Sequence, residues 1–452
     1  MNTHERYVIR IALVAALGGL LFGFDTAVIS GTTEWLQQVY HLSDAALGFT
    51  VACALIGTII GAIAVGVPAD RIGRRDMLIG IAVLYFISAI GTALPWNWQS
   101  FLFFRFVGGL AVGGASVVSP MYIAEISPAE KRGRLVALAQ FNIVFGILLA
   151  FASNYFITRM NLGTSEWRWM YGVEAIPAAA FFALLFFNPR SPRWLTSKGR
   201  HDEAQAVMNR LVADPVARDK ELAEIRASLD LEHHSARESI FSRPYLMPLF
   251  LACAIAVFNQ ASGINALLYY APKIFKLTGA AGESALLQSV LIGVVNLIFT
   301  MVALTVIDRF GRRKLMLVGS VGYIISLGTA AAVFFVNGEN FSAMGGTMLL
   351  GALMVFIASH AFGQGAVIWV FVSEIFPNRV RARGLALASF SLWIANAIIA
   401  QAFPIMLGAL GGGLVFAVFA GFMVVQLVWV IAFMPETKGI PLEGIQKQMH
   451  ID

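Results

Sequence analysis

Apolar runs long enough to cross a bilayer as a helix, about 20 residues each, recur along the chain. They fall at 8–30, 47–67, 77–96, 101–124, 135–158, 169–188, 245–275, 285–307, 315–336, 346–373, 385–407 and 413–434. The pattern predicts an all-α membrane protein with 12 transmembrane helices. The longest polar stretch, 189–244, follows the sixth run and divides the set into two groups of six. Its charged, helix-prone part, 201–240, predicts short cytoplasmic amphipathic helices lying against the membrane face. The expected organisation is an N-terminal six-helix bundle (1–188), a linker (189–244), a C-terminal bundle (245–434) and a tail (435–452). Met1 to Tyr7 precede the first run, which continues without a small-residue cleavage site, so the first span reads as retained.

Composition agrees. Of 452 residues, 58% are hydrophobic and 13% charged, with a mean hydropathy of +0.75; soluble chains carry roughly 25% charged residues. A cytosolic enzyme, a nucleic-acid binder and a disordered chain are excluded. The net charge of +6 belongs to topology: 27 of the 32 Lys and Arg fall in connections on the N-terminal side of the first span. Basic residues accumulate in cytoplasmic loops, which predicts both termini inside, a multi-pass inner (plasma) membrane location, and contact of the positive charge with lipid headgroups rather than with nucleic acid. Cys53 and Cys253 stand in separate apolar stretches, neither a disulfide framework nor a metal-ligand spacing. There is no phosphate-binding G-x-x-x-x-G-K-[ST] motif, and no metal or cofactor is expected.

The two groups of six repeat one another. Asp70-Arg71-Ile72-Gly73-Arg74-Arg75 follows the second run, and Asp308-Arg309-Phe310-Gly311-Arg312-Arg313 follows the eighth. Glu125 to Arg132 after the fourth matches Glu374 to Arg381 after the tenth. Duplicated halves with a site at their interface are an architecture of secondary transporters. Gly57/Gly61 and Gly109/Gly113 have the spacing of close helix packing.

Three ionisable residues lie inside spans: Asp25, Arg105 and Glu174. Each costs about 2.5–3.5 kcal/mol on insertion scales, and each sits roughly 6–8 Å below the outer boundary at the helical rise. They share one depth and can meet. Burial and a neighbouring arginine pull a carboxyl's proton affinity in opposite directions. A helix movement that changes the Asp25–Arg105 separation therefore switches proton binding, with Glu174 competing for the guanidinium. The plainer alternative is that Arg105 snorkels outward and the acids are merely hydrogen-bonded. A second constellation is neutral: Asn259, Gln260 and Asn265 in the seventh span, around a Ser262-Gly263 break, with Asn296, Asn396 and Gln140 on other helices. Amides donate and accept without charge, which suits a polyol, and Trp369 and Trp393 offer faces for a sugar ring. For any one amide, helix–helix hydrogen bonding is the competing role.

These residues resemble the sugar-porter family of the major facilitator superfamily over nearly the whole chain. The marks are GGLLFGFDTAVISG (18–31), DRIGRR (70–75), FRFVGGLAVG (104–113), the Glu125/Arg132 segment, QASGINALLYYAP (260–272), DRFGRR (308–313), SEIFP (373–377) and PETKG (435–439). The chain is most similar to bacterial D-xylose–proton symporters and more distantly to facilitative glucose transporters. The resemblance implies the major facilitator fold of two pseudo-symmetric halves. It implies Asp25 as proton-coupling acid with Arg105 as partner and Glu174 nearby, and sugar contacts at Gln140, Gln260, Asn265, Asn296 and Trp369. Tyr269 and Tyr270 match the outer gate. A cytoplasmic charge network is implied at Asp70, Arg71, Arg74, Arg75, Glu125, Arg132, Arg193, Asp308, Arg309, Arg312, Arg313, Glu374 and Arg381.

The chain departs from that pattern at Asn259, where the family has Gln, at Leu392 in place of an amide, at Ala361, and at Arg190, where the family has Glu. The last reverses one charge of the network. The expected activity is proton-coupled symport of a monosaccharide, D-xylose or a hexose such as D-glucose, by alternating access in a monomer; no covalent chemistry is involved, so it is not an enzyme. Two rivals stand beside it. A facilitative uniporter would keep Asp25 and Arg105 as a permanent pair. A sugar receptor would carry a long signalling tail, and 18 residues follow the last run.

Overall fold

The structure, a computed structural model, describes residues 3–128, 131–234, 239–338 and 341–439, apart from the side chains of 132–133, 230–234, 308 and 378–379. Among the described residues all regular structure is helical. The chain forms two compact units. The first comprises Met1–Thr26, Ile56–Ala150 and Arg168–Arg237; the second comprises Ala27–Leu55, Phe151–Trp167 and Glu238–Asp452. Four helices, α1 (Thr3–Val28), α3 (Asp44–Ala64), α7 (Arg132–Arg159) and α8 (Glu166–Gly172), run from one unit into the other. A short α2 (Thr33–Tyr40) separates α1 from α3.

Unit one continues with α4 (Gly66–Ile72), α5 (Arg74–Ala93) and α6 (Trp98–Ile126). The start of α6 is fixed by a reciprocal cap: Asn97 Oδ1 accepts from the Ser100 amide at 2.8 Å, and the Asn97 amide donates to Ser100 Oγ at 3.2 Å. The spaced glycines do pack backbones. A Cβ on Gly57 would lie 2.3 Å from the Phe106 carbonyl, and one on Gly113 would lie 2.1 Å from that of Thr58. Helices α3 and α6 therefore touch main chain to main chain, which any side chain would prevent.

Ten helical stretches among the described residues are long and apolar enough to cross a membrane. The difference from twelve runs has two causes. The sixth run is broken into α8 (Glu166–Gly172) and α9 (Ala175–Leu185), each too short on its own. After α18 (Ala366–Ile375), the last two runs form two helices that abut without a loop and are labelled together as α19 (Asn378–Ala432); they are separated only by Gly411, whose φ of +73° and ψ of 165° are not helical and are open to glycine. Each run thus has its helical segment.

In the linker, α10 (Pro192–Ser197), α11 (His201–Leu211) and α12 (Pro215–His234) form as short helices. Their apolar residues Trp194, Leu195, Ala204, Met208 and Leu211 join the same buried cluster as Val8, Ile11 and Leu78. The apolar faces cover the end of the unit-one bundle, and Trp194 Nε1 donates to the Asp70 carbonyl at 3.0 Å.

Unit two holds α13 (Leu246–Ala261), α14 (Ile264–Lys276), α15 (Gly282–Phe310), α16 (Arg312–Asn337) and α17 (Ala343–His360), followed by α18 and α19. The predicted break in the seventh span is present. Gly263 takes φ +85° between α13 and α14, and a Cβ there would meet the Phe419 ring at 2.7 Å. Between α17 and α18 the helix widens for one turn at Ala361–Gly365.

Candidate functional site

In unit one, α1, α6 and the α8–α9 break bring Asp25, Arg105 and Glu174 into one buried cluster, 4%, 2% and 2% exposed. Arg105 Nη1 donates to Asp25 Oδ1 at 2.6 Å. The guanidinium carbon also stands 5.7 Å from the centroid of Tyr171, a cation–π distance. Gly108 admits Ser88 against α6, since a Cβ there would be 2.4 Å from Ser88 Oγ, and Asp25 Oδ1 lies beside the same position at 3.5 Å, an ordinary contact distance. Glu174 falls at the interruption between α8 and α9. Asp25 and Arg105 both act on it through space, yet its Oε1 has no hydrogen-bond partner among the described residues. A single buried cation thus faces two carboxyl groups and holds one of them. Such a cluster can carry an exchangeable proton, because with both acids ionised the charge is uncompensated.

Tyr85 and Tyr171 also belong here. Sequence reasoning missed both, because an aromatic inside an apolar run is indistinguishable from core packing until its hydroxyl or ring is seen beside a charge.

The amides of unit two divide into two groups. Around the α13–α14 break, Gln260 Nε2 donates to Asn259 Oδ1 and Asn265 Nδ2 donates to Gln260 Oε1, both at 2.8 Å. The Ser262 hydroxyl donates to the Asn259 carbonyl at 2.6 Å, satisfying a group that the break would otherwise orphan. On α19, Asn396 Nδ2 donates to Tyr269 Oη at 3.0 Å, while Asn396 Oδ1 is buried without a partner among the described residues. Tyr270 Oη donates to the Ala400 carbonyl at 3.0 Å. Tyr269 and Tyr270 are thus both fastened to α19. Asn296 is buried on α15 and accepts from Thr300 at 3.4 Å; Trp393 is buried, whereas Trp369 is 40% exposed. In unit one, Gln140 is half-buried on α7. Sequence reading also missed a buried chain in which Gln364 donates to Gln426 and Gln426 donates to Ser320.

The repeated loops build equivalent structures in the two units. Gly73 and Gly311 have φ +100° and +88°. Beyond them Arg74 Nε donates to Glu125 Oε1 at 3.0 Å, and Arg312 makes a two-point contact with Glu374 at 3.1 and 2.7 Å. Arg75 reaches the Asn188 carbonyl and Arg313 that of Ile431, each at the end of the last span of its group. Glu436 caps the second loop by accepting from the Arg312 and Arg313 amides, and Thr437 donates to Glu374. Its counterpart by position is Arg190. That side chain instead pairs with Asp76 at 2.9 Å and stands over Trp194, so the reversed charge finds a local acid. Neither Asp76 nor Glu436 was singled out from sequence, although Glu436 lies in a quoted motif. Asp70 pairs with Arg74 at 2.9 Å, Arg193 donates to Ser228, and Arg381 donates to the Phe376 carbonyl. Arg71 and Arg309 are exposed. The side chains of Arg132 and Asp308 lie outside the described residues.

Comparison with known proteins places this geometry. A family model described as "Sugar (and other) transporter" matches residues 11–449. The D-xylose–proton symporter of Escherichia coli K12 is 39% identical, with 99% of this chain and 97% of that protein aligned. A glucose transport protein of Synechocystis is 37% identical, with 98% and 97% aligned. Among solved structures, the inward-open conformation of the E. coli xylose transporter XylE superposes with a TM-score of 0.86 at 38% identity, over 98% of this chain and all of that one. The fold is the twelve-helix major facilitator fold of a multi-pass membrane protein, and the chain belongs to the sugar transporter family.

Proposed function

We propose that this protein is a proton-coupled monosaccharide symporter that carries D-xylose or a hexose such as D-glucose by alternating access. The observation that carries the reading is the buried cluster in which Arg105 binds Asp25 and leaves Glu174 Oε1 without a partner among the described residues. A purely structural ion pair needs one acid. Here a second buried acid faces the same cation, which gives Arg105 an alternative partner and Asp25 a reason to take a proton when Arg105 leaves. The sugar contacts in this reading are Asn259, Gln260, Asn265, Asn296, Trp369, Trp393 and Asn396 on the C-terminal half and Gln140 on the N-terminal half. Its internal amide hydrogen bonds at the α13–α14 break are ones that sugar hydroxyls can replace one for one.

The N-terminal six helices couple the proton and the C-terminal six hold the sugar. Both termini are cytoplasmic, the basic loops meet anionic headgroups, and the monomer is the working unit. The driving force is adequate: about 2.3 kcal/mol for one charge across 100 mV plus about 1.4 kcal/mol per pH unit.

The test is uptake of labelled D-xylose and D-glucose into proteoliposomes with and without an imposed proton gradient, for the wild type and Asp25→Asn. Uphill uptake that requires the gradient and is lost in the variant, while exchange persists, is the expected result. Equilibrating uptake indifferent to both would make the protein a uniporter and the pair structural.

A further inference from the structure

Tyr85 sits on α5 at 1% exposure, and its hydroxyl has no hydrogen-bond partner among the described residues. Buried polar groups in folded proteins are almost always paired, so each exception needs a cause. The surroundings supply one. The charges of both Asp25 and Glu174 act on the Tyr85 hydroxyl through space. One turn further along α5, Ser88 Oγ and Asp25 Oδ1 converge on the same point above Gly108, at 2.4 and 3.5 Å from its ideal Cβ position. The charged groups acting on it are Asp25 from α1 and Glu174 from the break after α8, and the same cluster holds Arg105 from α6, bound to Asp25 and standing over Tyr171 of α8. Arg105 is engaged with Asp25. An orphan donor, the phenol, and an orphan acceptor, Glu174 Oε1, are therefore buried in one cluster.

We propose that Tyr85 is a positioning residue of the proton site, its hydroxyl donating, directly or through one water, to whichever of the two carboxylates Arg105 is not holding. In the present arrangement that acid is Glu174, reached through one water because the phenol has no direct partner among the described residues; once Arg105 has crossed to Glu174, it is Asp25. A neutral O–H suits this task, because it stabilises a carboxylate without adding a second cation that would hold both acids ionised. The inference rests on the symporter reading, and it adds a residue whose hydroxyl, rather than its ring, matters.

The test uses Tyr85→Phe, which keeps the ring. Gradient-driven uptake of labelled D-xylose and D-glucose is measured across pH in proteoliposomes, normalised to counterflow exchange so that folded transporter is compared with folded transporter. Removing the donor leaves the carboxylate less stabilised, so the pH midpoint of uptake moves in the alkaline direction by about one unit. A profile that superposes on the wild type overturns the proposal, as does a loss of exchange and uptake in parallel with no shift, which would mark Tyr85 as a packing residue. Tyr85→Leu, which removes ring and hydroxyl together, must shift the midpoint the same way. Infrared titration of the protonated-carboxyl band in detergent reads the same shift without transport, and its absence in Tyr85→Phe also overturns the assignment. A wild type whose uptake ignores the gradient brings down the symporter reading and the inference with it, and that result shows in the control rather than in the variant.

Discussion

Asp25 and Glu174 are equally buried but unequally engaged, and the difference makes a residue-level prediction. Removing one member of a buried ion pair usually costs about 3–5 kcal/mol, because the other charge is stranded. Arg105 is not stranded by Asp25→Asn, since Glu174 offers an uncommitted carboxylate oxygen in the same cluster. The single variant is expected to stay folded, with a melting temperature near that of the wild type. Asp25→Asn combined with Glu174→Gln leaves the guanidinium without an acid and should lose about 3–5 kcal/mol, seen as a large fall in melting temperature in detergent. Equal behaviour of single and double variants would show that Glu174 does not compensate. Arg190 makes a smaller case. It is about one-third exposed and paired with Asp76 at 2.9 Å, so Arg190→Glu should cost roughly 0.5–1 kcal/mol. Adding Asp76→Asn should restore most of it, because the new acid then faces Arg75; a double-variant cycle by thermal unfolding checks this. The charge reversal at 190 was legible from sequence, but Asp76 was not recognised as its partner. A pairing across 114 positions leaves no mark in spacing.

The α13–α14 break shows what a glycine does for an element. Ser262-Gly263 predicts an interruption, and the structure adds why only glycine serves: a left-handed φ of +85° and a Phe419 ring 2.7 Å from where a Cβ would stand. The left-handed backbone alone costs an L-residue about 1–2 kcal/mol, and the ring contact adds to it. Gly263→Ala should therefore lower stability by at least about 1–2 kcal/mol. It should also weaken sugar binding several-fold, since Asn259, Gln260 and Asn265 are aligned by this turn. Thermal unfolding and ligand-induced tryptophan quenching would read the two effects, and unchanged values in both would show that α13 and α14 tolerate a different junction. The break between α8 and α9 was not legible, because its sequence, Gly172-Val173-Glu174-Ala175, sits in an apolar run that also contains Pro177. The junction at Gly411 was legible, as the gap between the runs at 385–407 and 413–434, but the angle of the turn was not. At the α8–α9 break hydropathy reports that a segment is apolar and is blind to where its helix stops.

At the scale of the molecule, the set of spans and the repeated loops were written in the sequence, because they depend on hydropathy and on short motifs, both of which are local. What the sequence left unread is the fastening of unit two. There, side chains from the first quarter of the chain meet α14: Lys273 Nζ lies 3.2 Å from Gln37 Oε1 and 3.4 Å from Asp44 Oδ1, and Lys276 pairs with Glu34. Gln401 Nε2 donates to the Ala45 carbonyl at 2.9 Å, and Gly48 lies so close to Gln401 that a Cβ would be 2.4 Å from its carbonyl oxygen. A cavity of about 310 Å³ adjoins the lysine contacts, lined by Ser30, Glu34, Trp35, Glu166, Lys273 and Lys276 among others. An alternating-access transporter must open this end once per cycle, so contacts that join early and late parts of the chain here resist opening. The lysine pairs are partly exposed, which limits each to about 0.2–1 kcal/mol, and two together change the open population by a few-fold to about thirtyfold on the scale of a tenfold change per 1.4 kcal/mol. Ser30 is 1% exposed and faces the cavity; Ser30→Cys therefore reports opening through its rate of maleimide labelling in detergent. Lys273→Gln with Lys276→Gln in that background is expected to raise the rate several-fold. High salt should narrow the difference, because screening weakens the exposed pairs of the parent. An unchanged rate would mean that the main-chain approach at Gly48 and the Gln401 bond hold this end closed, and that the lysines only decorate it.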